Sequence, residues 1–143
     1  MIRNKKLFSF ALLCSLLITL PVQAAKTIEE CQTQVPEQSS SAAMSRCLDS
    51  VIAFVDRELQ TWINLHSFNL EEKALIHGPN AALKIFKRSQ SSFITYREND
   101  CRWQYLAILP NTGADLAYKT CYVLLSKSRI AMLSTAEAIT GNE

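Results

Sequence analysis

Glycine and proline are scarce in this chain of 143 residues, which has three glycines and four prolines. Both residues interrupt helices and form tight turns, so their scarcity predicts long helices joined by few connections. Two glycines and two prolines fall in two short stretches, residues 77–80 and 110–113. The chain has no internal repeat and no low-complexity tract, and we predict a single domain.

Recognisable catalytic motifs are also lacking. We find no phosphate-binding loop, dinucleotide fingerprint, zinc-protease motif or nucleophile elbow. The only histidines are His66 and His77. The acidic pairs at 29–30 and 71–72 are adjacent in sequence, and adjacent residues on a helix do not face each other, so they are poor acid–base partners. We predict that the protein is not an enzyme and needs no cofactor.

One long apolar run occurs, at the N-terminus. Basic residues at 3–6 precede an almost continuous apolar stretch at 7–20, and Val22 and Ala24 then occupy the −3 and −1 positions of a cleavage site. This layout predicts a signal peptide over residues 1–24, with 25–143 as the exported domain. The run is shorter than the ~20 residues that span a bilayer. We therefore expect a periplasmic or secreted protein without a stable membrane anchor.

The charge balance changes when the signal peptide is removed. Residues 1–24 hold three of the fifteen basic residues and none of the thirteen acidic ones, so the formal charge of residues 25–143 is −1. The basic character of the whole chain thus comes from its signal peptide. Nothing in this balance indicates binding to nucleic acid or to an anionic membrane surface.

Cysteine usage fits an oxidising compartment. Cys14 lies in the signal peptide, and Cys31, Cys47, Cys101 and Cys121 remain. An even number in an exported chain indicates two disulfides, for which three pairings are possible. We favour 31–47 and 101–121, because they close short loops that each stabilise the fold by about 3 kcal/mol. No CxxC-type spacing supports a metal site.

Apolar residues recur at intervals of three and four and predict three helices, at about 41–66, 81–103 and 114–139. Residues 25–38 should form a short helix or an ordered arm held by Cys31. We expect residues 67–80 to form a polar linker with at most a helical turn at 70–76. The predicted fold class is all-α, an antiparallel three-helix bundle with an N-terminal arm and two clamping disulfides.

Two arginines, Arg97 and Arg129, fall on the core-facing stripes of their helices. A buried guanidinium needs a carboxylate or several carbonyls. The first long helix offers Asp56 or Glu58, and the amide of Gln90 lies one to two turns before Arg97. Our hypothesis is a structural polar network of Asp56, Gln90, Arg97 and Arg129 that fixes the helix register. The alternative is that Arg97 reaches a cleft and contacts a partner.

A spaced motif surrounds Arg97. It consists of Gln90, Phe93, Tyr96, Arg97, Glu98 and Cys101. This pattern resembles the signature of the LprI-like family of bacterial lysozyme inhibitors. Asp56-x-x-Leu59-x-x-Trp62 and the spacing from Cys121 to Arg129 and Leu133 resemble other family segments, so that the likeness extends over about residues 31–133. Phe93, Trp62 and Glu98 depart conservatively from the commoner tryptophan, tyrosine and aspartate.

The resemblance implies an exported, helical, disulfide-bonded protein that binds and inhibits a lysozyme or a related wall hydrolase. Residues 67–80 and 104–113, both expected to be loops, are the candidate contact segments. Two alternatives stay open. One is a periplasmic immunity protein against a wall-degrading toxin, and the other is a structural envelope protein without inhibitory activity.

Overall fold

The computed structural model describes residues 24–37, 39–78 and 81–140. The predicted signal peptide, apart from Ala24, lies outside these residues. Four helices follow one another: α1 (Ile28–Gln34), α2 (Ser41–His77), α3 (Ala81–Ile108) and α4 (Ala114–Thr140). None of these helices is both long and apolar enough to cross a membrane.

The predicted fold class is confirmed: the described residues form a helical bundle with two disulfides. Helix α3 runs antiparallel to α2 and α4, and α4 packs extensively against both of its neighbours. Cys31–Cys47 joins α1 to the start of α2, with 5.7 Å between the Cα atoms. Cys101–Cys121 joins α3 to α4, with 5.5 Å between the Cα atoms. These are the two pairings that the short loop lengths favoured.

The N-terminal arm is the short helix α1. Thr27 precedes it in an extended conformation, and its side chain accepts a hydrogen bond from the backbone N–H of Glu30 at 3.0 Å. The Glu30 carboxylate in turn accepts the backbone N–H of Lys26 at 2.6 Å. The Thr27 bond satisfies a backbone donor that the first turn of a helix leaves free, and the Glu30 bond holds the chain that enters the helix. Together they explain where α1 begins.

The expected linker at 67–80 was wrong, because α2 continues without a break to His77. The sequence from Leu70 to Ile76 contains leucine, glutamate, lysine and alanine, which are good helix formers. The helix ends only at Gly78, whose φ of 88° lies in the region that favours glycine. The polar residues in this segment were therefore a misleading sign of a loop. His77 belongs to the last turn of α2.

Helix α3 is likewise longer than predicted and ends at Ile108 instead of Trp103. Residues 104–108, which we expected to belong to a contact loop, are its last turn. Only residues 109–113 form the connection to α4. Neither expected loop exists at its predicted length, and most of the residues expected in them lie on helices.

The apolar core lies between α2 and α4. Helix α2 buries Leu48, Val51, Val55 and Leu59 at intervals of three and four residues, which forms one continuous stripe. Helix α4 contributes Val123, Ile130 and Leu133, while Ala25 and Cys31 close the end beside α1. The buried residues of α3 are different in kind: Gln90, Arg97 and Cys101. Helix α3 therefore meets the bundle through polar groups, aromatic rings and a disulfide.

Candidate functional site

Arg97 is buried, with 8% of its surface exposed. Its guanidinium carbon lies 3.8 Å from the ring centroid of Tyr122 on α4. Nη1 donates to Ser126 Oγ at 2.8 Å and lies 3.4 Å from Asp56 Oδ1 on α2. One side chain of α3 thus contacts both other long helices.

Tyr122 completes this first group. Its hydroxyl donates to Asp56, with O–O distances of 3.0 and 3.2 Å to the two carboxylate oxygens. Burial, together with the nearby Asp56, raises the pKa of Tyr122 to about 12, although Arg97 acts in the opposite direction. Ser126 Oγ donates to the Tyr122 carbonyl at 2.7 Å while it accepts from Arg97. Asp56 therefore receives donors from both α3 and α4.

Arg129 forms a second, separate group. Its Nε donates to Gln90 Oε1 at 3.2 Å, and its Nη2 donates to Ser89 Oγ at 2.9 Å. Burial lowers the pKa of Arg129 from its ordinary value. Gln90 Nε2 is buried and has no hydrogen-bond partner. We expected Gln90 to complete the network around Arg97, but its hydrogen bond goes to Arg129.

The aromatic ring of Phe93 lies between the two groups. The guanidinium carbons of Arg97 and Arg129 are 5.5 and 5.6 Å from its centroid. Cations at such distances are attracted by the negative face of an aromatic ring. The four residues that we singled out as one network thus form two arginine groups separated by Phe93.

The remaining motif residues point to the surface or to the disulfide. Tyr96 is 54% exposed, and Cys101 is bonded to Cys121. Glu98 accepts a hydrogen bond from the Tyr118 hydroxyl at 2.7 Å. Burial and the adjacent Glu98 raise the pKa of Tyr118. The motif therefore combines a buried arginine with a carboxylate at the protein surface.

A surface cleft lies beside this carboxylate, between the end of α3 and the start of α4. We call it the α3–α4 cleft; it has a volume of about 270 Å³ and is lined by Glu98, Arg102, Tyr105, Leu106, Asp115 and Tyr118. Arg97 is not among the lining residues. The cleft offers carboxylates, phenol rings and one guanidinium to a partner.

Lys119 connects the start of α4, next to the cleft, to α2. Its Nζ lies 2.7 Å from Asp49 Oδ1 and 3.3 Å from Asp115 Oδ2, and it donates to Ser45 Oγ at 2.6 Å. Burial alone would lower the pKa of Lys119, but its hydrogen bonds to Asp49 and Asp115 outweigh burial and raise it. Asp115 is therefore held in place at the cleft edge.

Charge is separated along the bundle. Over residues 24–37, 39–59 and 97–125, which form the end nearest both disulfides, we count nine acidic and six basic residues. Over residues 60–78, 81–96 and 126–140, which form the opposite end, three residues are acidic and six are basic. The first end thus has a formal charge of −3 and the second of +3. The small net charge of the chain hides this asymmetry.

His66, which the sequence places on the apolar stripe of α2, is 8% exposed. Its Nε2 donates to the Leu133 carbonyl at 2.8 Å, and its ring lies 5.5 Å from that of Phe86. It therefore helps to pack α2 against the other long helices. The residues that the structure describes contain no group of three or more His, Cys, Asp or Glu able to hold a metal ion.

A comparison with protein families identifies the group to which this architecture belongs. The family model described as lysozyme inhibitor LprI matches residues 31–133. The chain belongs to the LprI family. No curated protein and no solved structure is significantly similar to the chain. The LprI match extends from the first cysteine of α1 to the last buried leucine of α4, so it includes both disulfides and both arginine groups.

Several residues that hold the LprI motif in place were missed by the sequence analysis. The Tyr122 ring and the Ser126 hydroxyl contact Arg97. Ser89 binds Arg129, and Tyr118 binds Glu98. Tyr122 and Ser126 precede Arg129 by seven and three residues, so the three lie along one side of α4. That spacing was a usable signal, but only knowledge of the facing helix turns it into contacts.

Proposed function

We propose that this protein is exported to the periplasm, where it binds lysozyme-type muramidases and inhibits them. The family match over residues 31–133 carries this proposal. The matched region includes most of the buried core as well as the motif, so it covers parts of all four helices and not an isolated segment. The family description is that of an inhibitor, which favours a binding role over catalysis.

Export is supported by two independent features of the chain. The first is the basic and then apolar pattern of residues 1–24. The second is the pair of disulfides, which form and persist in oxidising compartments such as the periplasm. Both disulfides connect helices, so they limit how far α1 can separate from α2 and α3 from α4.

Inhibition requires no chemistry from the inhibitor. A lysozyme-type muramidase holds two carboxyl groups in a sugar-binding cleft, and a protein that covers this cleft excludes the wall polymer. A bundle that is already folded and cross-linked loses little conformational freedom on binding, which favours affinity.

The test begins with the full chain expressed in a bacterial host and purified from the periplasm. Intact mass reports whether the product begins at Ala25 and whether four thiols are oxidised. The purified protein is titrated into a panel of lysozymes while wall lysis is followed. We expect inhibition of at least one lysozyme type with one-to-one stoichiometry.

The matched control is the same protein after reduction and alkylation of its cysteines, which should inhibit poorly. Absence of inhibition by the native protein at micromolar concentration across several lysozyme types would refute the proposed function. Recovery of the protein from the cytoplasm with its N-terminus intact would refute the proposed export.

A further inference from the structure

The α3–α4 cleft continues onto a helical surface that carries large apolar side chains. Leu106 lines the cleft and lies three residues after Trp103, so the two side chains are neighbours on α3. Trp103 is 59% exposed and Leu106 is 55% exposed. We call the cleft together with Trp103 the cleft face.

The indole of Trp103 is oriented by its neighbour. Its Nε1 donates to Asp100 Oδ1 at 3.3 Å, while the other carboxylate oxygen of Asp100 accepts from Gln104 Nε2 at 3.3 Å. A tryptophan that is held at the surface and half exposed has few rotamers to lose on binding. Aromatic anchors of this kind dominate the binding energy of protein interfaces.

The cleft face is also the acidic part of the molecule. Glu98 and Asp115 line it, with Arg102 as the basic residue among the cleft lining, and it lies at the acidic end of the bundle, whose formal charge is −3. Carboxylates alone attract many cations, but the exposed Trp103 and Leu106 require a partner that also offers apolar surface.

We propose that the cleft face is the surface on which the protein docks a basic lysozyme, an inference that rests on the proposed function. The partner chemistry is a protein surface with lysine and arginine side chains around an apolar patch. Lysozymes are commonly basic, so the acidic end attracts them during approach. The opposite end of the bundle, with six basic and three acidic described residues, repels them.

The opposite charges of the two ends orient an approaching lysozyme, although the net charge of residues 25–143 is only −1. Steering depends on the local potential at the surface that makes contact and not on the sum over the chain. The opposite end also has exposed apolar side chains, such as Phe68 at 64% and Leu75 at 87%. These residues differ from the cleft face in the charge around them, which makes them a matched control.

The test compares two double variants of the periplasmic protein. Trp103→Ala/Leu106→Ala removes the apolar part of the cleft face, and Phe68→Ala/Leu75→Ala removes a similar apolar surface from the opposite end. For the first we expect at least tenfold weaker inhibition of a lysozyme that the native protein inhibits. For the second we expect a change of less than twofold. Circular dichroism should give melting temperatures close to the native value for both.

Charge is tested separately with Glu98→Gln in the cleft and with Lys84→Gln on the opposite end, through association rates at low and high salt. The glutamine removes a charge but keeps an acceptor for the Tyr118 hydroxyl. Glu98→Gln should slow association severalfold at low salt, and Lys84→Gln should not slow it. Full inhibition by Trp103→Ala/Leu106→Ala would overturn the docking surface and leave the proposed function intact. A native protein that inhibits no lysozyme would overturn both.

A second copy of the chain is the other occupant that the charges allow, because the acidic and basic ends could pair head to tail. Sedimentation of the native protein over a range of concentrations distinguishes this case. Self-association that Trp103→Ala/Leu106→Ala abolishes, with inhibition unchanged, would overturn docking of lysozyme on this face.

Discussion

Arg97 stacks on the ring of Tyr122, with 3.8 Å between the guanidinium carbon and the ring centroid. The stack joins α3 to α4, and the Asp56 carboxylate on α2 binds the tyrosine hydroxyl at 3.0 Å. Asp56 itself is nearly half exposed and lies 3.4 Å from Arg97 Nη1, so the ion pair contributes less than its position suggests. The stack and the Ser126 hydrogen bond are the main restraints on Arg97.

Replacing Arg97 by methionine tests whether this group is structural. The variant keeps much of the side-chain volume but loses the stack and the Ser126 hydrogen bond. We expect a loss of about 1–3 kcal/mol in the free energy of unfolding, because a desolvated cation–π contact alone contributes about 2 kcal/mol. Thermal unfolding measures the loss, and Arg88→Met on the exposed face of α3 serves as the control. Lysozyme inhibition should persist at a temperature where the variant is folded. An unchanged melting temperature with lost inhibition would contradict the structural role.

Gln90→Met should behave differently, although Gln90 is as buried as Arg97. The substitution costs Arg129 one hydrogen bond of 3.2 Å but leaves its bond to Ser89. It also removes the buried Nε2, which has no partner. These effects oppose each other, so we expect a stability change within about 1 kcal/mol. Urea unfolding measures it, and a loss as large as that of Arg97→Met would mean that the amide is essential.

The sequence was informative about the apolar helices and less so about the polar contacts between them. The α2 stripe from Leu48 to Leu59 and both disulfides followed from spacing and loop length. The extension of α2 to His77 was missed, because residues 67–77 mix polar side chains with exposed apolar ones such as Phe68 and Leu75. Such a segment can face solvent on a helix as readily as in a loop. The partners of Arg97 beyond Asp56 were also missed, since Tyr122 and Ser126 are identified only when the rotation of α4 is known.

Tyr122 makes the free energy of unfolding depend on pH. Its pKa is raised to about 12, chiefly by burial, above an ordinary value of 10.0. The folded state therefore holds this proton more tightly than the unfolded state does. The resulting stabilisation is complete below pH 10.0 and disappears as the pH rises towards about 12. Urea unfolding between pH 9.0 and 11.5 should show a steeper loss for the native protein than for Tyr122→Phe. Parallel curves would indicate that Tyr122 ionises like an exposed tyrosine.

The two disulfides should differ in what they do for function, although they close loops of similar length. Each is expected to contribute about 3 kcal/mol through the unfolded state, so Cys31→Ser/Cys47→Ser and Cys101→Ser/Cys121→Ser should both lower the melting temperature by roughly 10 °C. Their positions are different. Cys101 and Cys121 each lie three residues after a cleft residue, namely Glu98 and Tyr118, whereas the other pair fastens α1.

Removal of the Cys101–Cys121 bond therefore frees the two helices on either side of the α3–α4 cleft. At a temperature where both variants are folded, we expect Cys101→Ser/Cys121→Ser to inhibit lysozyme at least fivefold more weakly than Cys31→Ser/Cys47→Ser. Lysis assays at equal folded fraction, set by circular dichroism, measure the difference. Equal inhibition by the two variants would mean that the geometry of the cleft does not depend on this cross-link, and that the packing of α3 on α4 through Arg97 and Tyr122 is sufficient to maintain it.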